Sequence, residues 1–120
     1  MREHTRRAVA YIAGCRIVGI QASAVYDYSA GRHFSFSGNV AGDGVSIYDY
    51  TARCHVGGSG QRTLCLYHYG NARHLSLEVD GHAFRGYDYD SNQHFSGTVN
   101  SRSVSLYDYE NGRYYSFSVS

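Results

Sequence analysis

The sequence contains no Lys, Pro or Trp, and its charges nearly cancel, to a formal net charge of +1 at pH 7. A chain with so little net charge has no field that favours nucleic acid or an anionic membrane surface. Its apolar runs are also far shorter than the ~18 residues that a membrane-spanning helix needs. We therefore expect neither nucleic acid nor a membrane as a partner.

Cysteine is scarce as well, because Cys15, Cys54 and Cys65 are the only three and form no Cys-x-x-Cys pair. Such a set predicts neither a disulfide framework nor a zinc site, and it is typical of a reducing, cytoplasmic location. The segment Ile12-Ala13-Gly14-Cys15 is similar to a bacterial lipoprotein cleavage box, so export through Cys15 is the alternative. The apolar run before it is shorter than a signal peptide requires. We expect no metal and no cofactor.

Tyr and Gly are abundant instead, with 13 and 14 copies. Many Tyr belong to the motif Tyr-Asp-Tyr, whose five copies begin 22, 19, 20 and 20 residues apart. A nearly fixed period of this length indicates a repeat architecture in which each copy is one supersecondary unit. The motifs are Tyr26-Asp27-Tyr28, Tyr48-Asp49-Tyr50, Tyr67-His68-Tyr69, Tyr87-Asp88-Tyr89 and Tyr107-Asp108-Tyr109.

Turn signals follow every motif at the same distance. Four residues separate each motif from a second strand-like segment that begins with His or Tyr. In the last copy these residues include Asn111-Gly112, a strong signal for a tight hairpin, and Asp80-Gly81 marks a turn between copies. The segments between turns alternate in polarity, as strands do. The sequence therefore predicts an all-β antiparallel meander of about ten short strands in five ~20-residue hairpins.

Three architectures could bury the apolar face of such a chain. A closed barrel or a two-layer sandwich suits a meander, and a parallel β-solenoid is the alternative. We assign residues 21–120 to one repeat domain. Residues 1–20 are predicted to form a tail, with Arg6 and Arg7 in solvent, and a degenerate opening hairpin; a short capping helix over residues 8–20 is the alternative there.

Period-two alternation divides the strand residues into an apolar face and a face of Tyr, His and Ser. With the Asn-Gly pair as the two turn residues, Leu106 lies opposite Phe117; with the Asp-Gly pair, Leu77 lies opposite Phe84. The two kinds of turn agree on the faces, which supports the meander. The predicted core residues are Val25, Phe34, Phe36, Val45, Ile47, Val56, Leu64, Leu66, Leu75, Leu77, Phe84, Phe95, Val99, Val104, Leu106, Tyr115, Phe117 and Val119.

The other face pairs the second Tyr of each motif with the His or Tyr that follows the turn. This row either stabilises the sheet through cross-strand aromatic pairs or binds a protein, a sugar or a base. Equivalent His residues lie two strands apart, ~9–10 Å, which is too far for one metal ion. The candidate binding residues are Tyr28, His33, Tyr50, His55, Tyr69, His74, Tyr89, His94, Tyr109 and Tyr114.

The Asp of each motif falls on the otherwise apolar face, one step from the turn. A buried carboxylate needs partners, and we expect turn amides or nearby Arg to supply them. Equivalent carboxylates do not provide the distinct acid and base environments that catalysis needs, so we predict no catalytic residue. The candidate Arg partners are Arg32, Arg73 and Arg113. An enzyme would need a cleft that breaks the repeat, and we would expect that cleft near His68, Cys65 and His82.

The Tyr-Asp-Tyr, Gly-Arg and aromatic-Ser-Phe-Ser pattern over residues 22–120 resembles small, uncharacterised actinobacterial hairpin-repeat proteins. This resemblance implies no particular activity. The residues themselves predict a non-enzymatic structural or protein-interaction module that acts through its Tyr, His and Ser surface, with a second copy or another protein as the partner. A small-ligand or carbohydrate-binding barrel is the alternative, and an enzyme with a site near His68 is the second alternative.

Overall fold

A computed structural model describes residues 1–120 as a closed barrel of ten antiparallel strands around one helix. Strands that are consecutive in the chain are neighbours in the barrel, and the first pairs with the last to close it. This architecture confirms the all-β meander and selects the barrel over the sandwich and the solenoid. The elements are α1 Glu3–Val18, β1 Ala24–Asp27, β2 Arg32–Asn39, β3 Gly44–Asp49, β4 Cys54–Gly60, β5 Thr63–His68, β6 Arg73–Asp80, β7 Ala83–Asp88, β8 Gln93–Asn100, β9 Ser103–Asp108 and β10 Arg113–Val119.

Helix α1 fills the interior of the barrel. Side chains alone fill a barrel of about eight strands, so a wider one needs a further element inside it. The run Ala8–Cys15 has no charged side chain, and a helix that is apolar on all sides is suited to complete burial. Its Tyr11 and Ile12 have no exposed surface. The helix ends at Gly19, whose left-handed φ of 78° lets its N–H donate to the Cys15 carbonyl.

The predicted opening hairpin in residues 8–20 is therefore wrong. The alternative, a short capping helix, is correct in type, but the helix is longer and lies inside the barrel rather than at its end. Strand β1 pairs directly with β10, which leaves no edge for another hairpin. A β carbon at Gly14 would lie 2.8 Å from Val119 Cγ1, so α1 reaches the barrel wall only because residue 14 lacks a side chain. Helix and strands share one core cluster of 28 buried residues.

The predicted apolar face is the inner face of the barrel, and every residue assigned to it is buried. The cross-strand partners differ from the prediction by two residues. Phe117 lies opposite Val104 rather than Leu106, and Leu77 lies opposite Gly86 rather than Phe84. Because two residues are one full period of a strand, the faces are correct although the register is wrong.

The register shift originates in the turns. The last hairpin turns through four residues, 109–112, and Asp108 pairs with Arg113. Gly112, with a φ of 65°, donates its N–H to the Asp108 carbonyl at 2.8 Å. The Asp108 carboxylate also accepts the N–H of Glu110 at 3.0 Å. An Asp side chain that bonds its own turn thus stabilises a longer loop than the Asn-Gly pair alone predicts.

Candidate functional site

Five clusters of three aromatic rings lie on the outer face of the barrel, one on each hairpin. The first Tyr of each motif is the central ring, and the other two rings pack edge-on against it. The ring centroids are 4.7–5.0 Å apart and the interplanar angles are 63–84°. We name these clusters together the tyrosine belt. They are Tyr26–Tyr28–His33, Tyr48–Tyr50–His55, Tyr67–Tyr69–His74, Tyr87–Tyr89–His94 and Tyr107–Tyr109–Tyr114.

All ten candidate binding residues belong to the tyrosine belt, but their predicted opposite pairs are wrong. In the first hairpin His33 lies opposite Tyr26, not Tyr28, and the same shift occurs in the other four. The second Tyr instead lies in the turn and packs on the central ring from that side. The structure therefore distributes these residues over five separate clusters and does not gather them into one site.

The outermost Tyr rings of the belt are accessible. Tyr28, Tyr50, Tyr69, Tyr89, Tyr109 and Tyr114 are between 51% and 69% exposed. Some hydroxyl groups link one hairpin to the next: the Tyr50 hydroxyl lies 3.0 Å from Ser37 Oγ, and the Tyr109 hydroxyl lies 3.4 Å from Ser96 Oγ. The belt thus presents ordered rings that combine apolar surface with polar groups, the combination that makes Tyr common at interfaces.

A second polar feature lies inside the barrel, at the end where α1 begins. It consists of the middle residue of each motif, and we name it the inner ring. Its carboxylates accept N–H groups of their own turns, as predicted; Asp49 Oδ1, for example, lies 3.0 Å from the nitrogens of Thr51 and Ala52. The inner ring contains Asp27, Asp49, His68, Asp88 and Asp108, all 0–4% exposed.

Two carboxylates of the inner ring pair with Arg residues of α1. Arg6 Nη1 lies 3.2 Å from Asp108 Oδ2, and Arg7 Nη1 lies 3.7 Å from Asp27 Oδ2. The prediction that both Arg lie in solvent is therefore wrong, because the helix that carries them is inside the barrel. Burial lowers the pKa of Arg7 below its ordinary value, and the nearby carboxylates oppose this shift. The predicted partners Arg32, Arg73 and Arg113 form no ion pair with the inner ring.

His68 differs from the other members of the inner ring. Its Nδ1 accepts the Asn71 N–H at 3.3 Å, so the neutral imidazole carries its proton on Nε2, which has no hydrogen-bond partner. Burial, together with the His4 ring 4.9 Å away, lowers the pKa of His68 from 6.5 to about 4. Cys65 lies exposed on the outer face and His82 lies in a turn at the other end of the barrel. The structure does not bring these three residues together.

No group of three or more His, Cys, Asp or Glu side chains converges as a metal ion requires. The one helix lacks the length and apolar character that crossing a bilayer requires. The fold defines the chain as a closed antiparallel barrel with a central helix. No family model matches the chain, and neither a curated protein nor a solved structure matches it significantly. Its function must therefore be inferred from its own side chains.

Proposed function

We propose that this protein is a non-enzymatic module that binds another protein, or a second copy of itself, through the tyrosine belt. The supporting observation is the row of exposed Tyr rings, each held edge-on against a half-buried ring. Rings that are already ordered lose little conformational entropy when a partner covers them. Tyr is also enriched at protein interfaces, where its hydroxyl can bond while its ring packs.

The closed barrel limits how a partner can attach. Every strand is paired on both sides, so a partner has no free edge to which it could add a strand. The near-zero net charge gives no long-range steering toward a charged partner. Contact through side chains of the outer face is the mode that remains, and the belt is the part of that face with the largest exposed rings.

The alternative functions have less support. A ligand site inside the barrel has no room, because α1 occupies the interior and Ala10–Ala13 are completely buried. An enzymatic site has no support from the carboxylates either, because turn amides or the Arg of α1 hold them on the inner face.

The test compares the native chain with a variant that loses the five second Tyr of the motifs. The substitutions are Tyr28→Ser, Tyr50→Ser, Tyr69→Ser, Tyr89→Ser and Tyr109→Ser. Sedimentation velocity measures self-association, and quantitative affinity capture measures other protein partners. We expect the native chain to form an oligomer or to hold one partner in fixed stoichiometry, and the variant to lose this.

A control variant carries the same kind of change at the opposite end of the barrel, where Gln61→Ser and His82→Ser alter exposed turns. Circular dichroism checks that both variants keep the native sheet. The proposal is overturned if the native chain is a monomer and captures no more protein than the belt variant does.

A further inference from the structure

One member of the tyrosine belt has a different neighbour from the other four. Across the gap between hairpins, the central Tyr of a cluster lies opposite a Ser of the adjacent hairpin in four cases. Tyr67 lies opposite Gly57 instead. The four regular pairs are Tyr26–Ser118, Tyr48–Ser37, Tyr87–Ser76 and Tyr107–Ser96. A groove lies on the outer face over β4 and β5, where this Ser side chain is missing.

This groove, which we name the Gly57 groove, has a volume of about 590 Å³. That size is within the range of about 300–1,000 Å³ that small-molecule sites span. The backbone at Gly57 and Gly58 contributes to its lining, so peptide units without side chains form part of its floor. The ring side chains that line it are His55, Tyr67, Tyr69 and His74, and Ser46 and Cys65 add small polar groups.

The corresponding hollows between later hairpins are smaller and contain charge. They measure about 220 Å³ and 340 Å³. Arg85 lines both of them, and in the first its Nε donates to Glu78 Oε1 at 3.1 Å. Cys65 occupies the position of Arg85 in the preceding hairpin, two residues before the central Tyr. The Gly57 groove is therefore larger than these two hollows, and no Arg, Asp or Glu lines it.

We propose that the Gly57 groove binds a neutral sugar ring, as a free glycoside or as one unit of a glycan. A pyranose places C–H groups against aromatic rings and directs its hydroxyls at phenol, imidazole and serine hydroxyl groups, all of which line this groove. A nucleotide or another phosphate would find no Arg to bind it. An extended peptide would find no free strand edge.

This proposal goes beyond protein binding by the tyrosine belt and does not rest on it. The variant Gly57→Ser narrows the groove without removing any ring of the belt. The added β carbon would lie 3.0 Å from the Val45 carbonyl oxygen, so the backbone there must move by a few tenths of an ångström to accept it. The other four copies already carry a Ser in the corresponding place opposite the central Tyr.

The experiment titrates the full-length, 15N-labelled protein with three neutral probes, methyl β-D-glucopyranoside, methyl α-D-mannopyranoside and N,N′-diacetylchitobiose. Amide chemical shifts report where each probe binds. We expect at least one probe to shift the amides of Gly57 and Gly58 with a dissociation constant of about 1 mM or tighter. Gly57→Ser and Tyr69→Ala should each weaken this binding about tenfold or more.

The matched control is Tyr109→Ala, which removes the equivalent ring in the last hairpin and should leave the affinity unchanged. Native spectra of each variant establish that it is folded. The proposal is overturned if none of the three probes shifts the two Gly amides at about 10 mM. It is also overturned if Gly57→Ser binds the probe as tightly as the native protein, or if Tyr109→Ala weakens binding as much as Tyr69→Ala.

Discussion

The inner and outer faces of the strands carry the same fivefold repeat but use it differently. On the outer face the five ring clusters have nearly the same geometry, with centroid distances that span only 4.7–5.0 Å. On the inner face Asp108 pairs with Arg6, Asp88 contacts no Arg, and His68 occupies the position where the other four copies have an Asp.

The cause of this difference is helix α1, which has no fivefold symmetry and packs only on the inner face. Each inner position therefore meets different residues of α1, whereas each outer position meets only solvent, its own hairpin and the adjacent hairpins. A repeated sequence gives equivalent sites only where the surroundings repeat as well. If this is correct, substitutions at adjacent residues on opposite faces should have very different effects.

We expect the largest difference in the free energy of unfolding between substitutions at residues 108 and 109. Asp108→Ala leaves the buried guanidinium of Arg6 without its carboxylate, and we expect a loss of about 3–5 kcal/mol in the free energy of unfolding. Tyr109→Ala removes one exposed edge-on ring, and we expect a loss of about 1 kcal/mol or less. Urea denaturation of both variants measures the difference. Equal losses would contradict the assignment of these side chains to different environments.

A somewhat smaller effect should appear when pH falls from about 6.5 to about 4. In this window folded His68, with a pKa of about 4, stays neutral, whereas His68 in the unfolded chain, with its ordinary pKa of 6.5, takes up a proton. The proton stabilises only the unfolded state. The stability that is fully present above pH 6.5 is therefore lost as pH falls toward 4, by about 3 kcal/mol in total.

Urea denaturation between pH 7.5 and 4 measures this loss of stability, and two variants test whether His68 causes it. His68→Asn keeps an oxygen that can accept the Asn71 N–H but removes the titrating group, so its stability should fall less steeply with acid. Ser35→Asn, on the exposed outer face, removes no titrating group and should keep the native slope. An unchanged slope in His68→Asn would show that other groups cause the acid sensitivity.

The smallest effect should come from Asp88. Burial raises the pKa of this carboxyl above its ordinary value of 3.8. A raised pKa means that the folded state favours the protonated form, so the stability that Asp88 contributes at low pH is lost as pH rises. Asp88→Asn keeps an acceptor for the Asp90 N–H and removes the charge, so at pH 7 we expect a small gain in the free energy of unfolding.

Asp108→Asn is the matched comparison for Asp88→Asn. It removes the charge from a carboxylate that does have an Arg partner, so we expect it to lower the stability at pH 7. Thermal unfolding of the two variants, measured in the same buffer, gives the two changes directly. Changes of the same sign would contradict the idea that the two carboxylates differ in their partners.

Much of the strand architecture could be predicted because it follows from local rules. Alternation alone assigns Leu77 and Phe117 to the inside and Tyr28 to the outside. These assignments tolerated a register error, because the error equalled one full period of the strand. The length of the turns after the motifs could not be predicted from alternation, because it depends on whether the Asp side chain accepts hydrogen bonds from the amides that follow it.

Helix α1 could not be predicted from the hydrophobic pattern. A helix that is buried on all sides lacks the one-sided period that identifies surface helices, and Ala8–Cys15 has none. The barrel interior that surrounds the helix exists only after all ten strands have paired into a closed barrel. Arg6 was misplaced for the same reason, since its partner Asp108 is 102 residues away in the chain. The useful signal was the row of Asp on an apolar face, because buried carboxylates need partners, and for two of them the partner is an Arg of α1.

The outer placement of the candidate binding residues was also predictable, whereas the Gly57 groove was not. The groove depends on which residues meet between one hairpin and the next, and turn chemistry within a hairpin does not determine that. Tyr67 meets Gly57 across such a boundary. That the tyrosine belt binds a partner stays a prediction.

The position of α1 also has a consequence for how the chain is made. The helix precedes every strand in the sequence, yet it lies at the centre of the finished barrel. On the ribosome the helix emerges before any strand that will cover it. The pairing of β1 with β10, in which Val25 lies opposite Val119, cannot form until β10 has been synthesised. Contacts this distant in the chain form slowly. The segment Ala8–Cys15 is therefore exposed while the strands are being synthesised, and a nascent-chain chaperone could bind it until β10 completes the barrel.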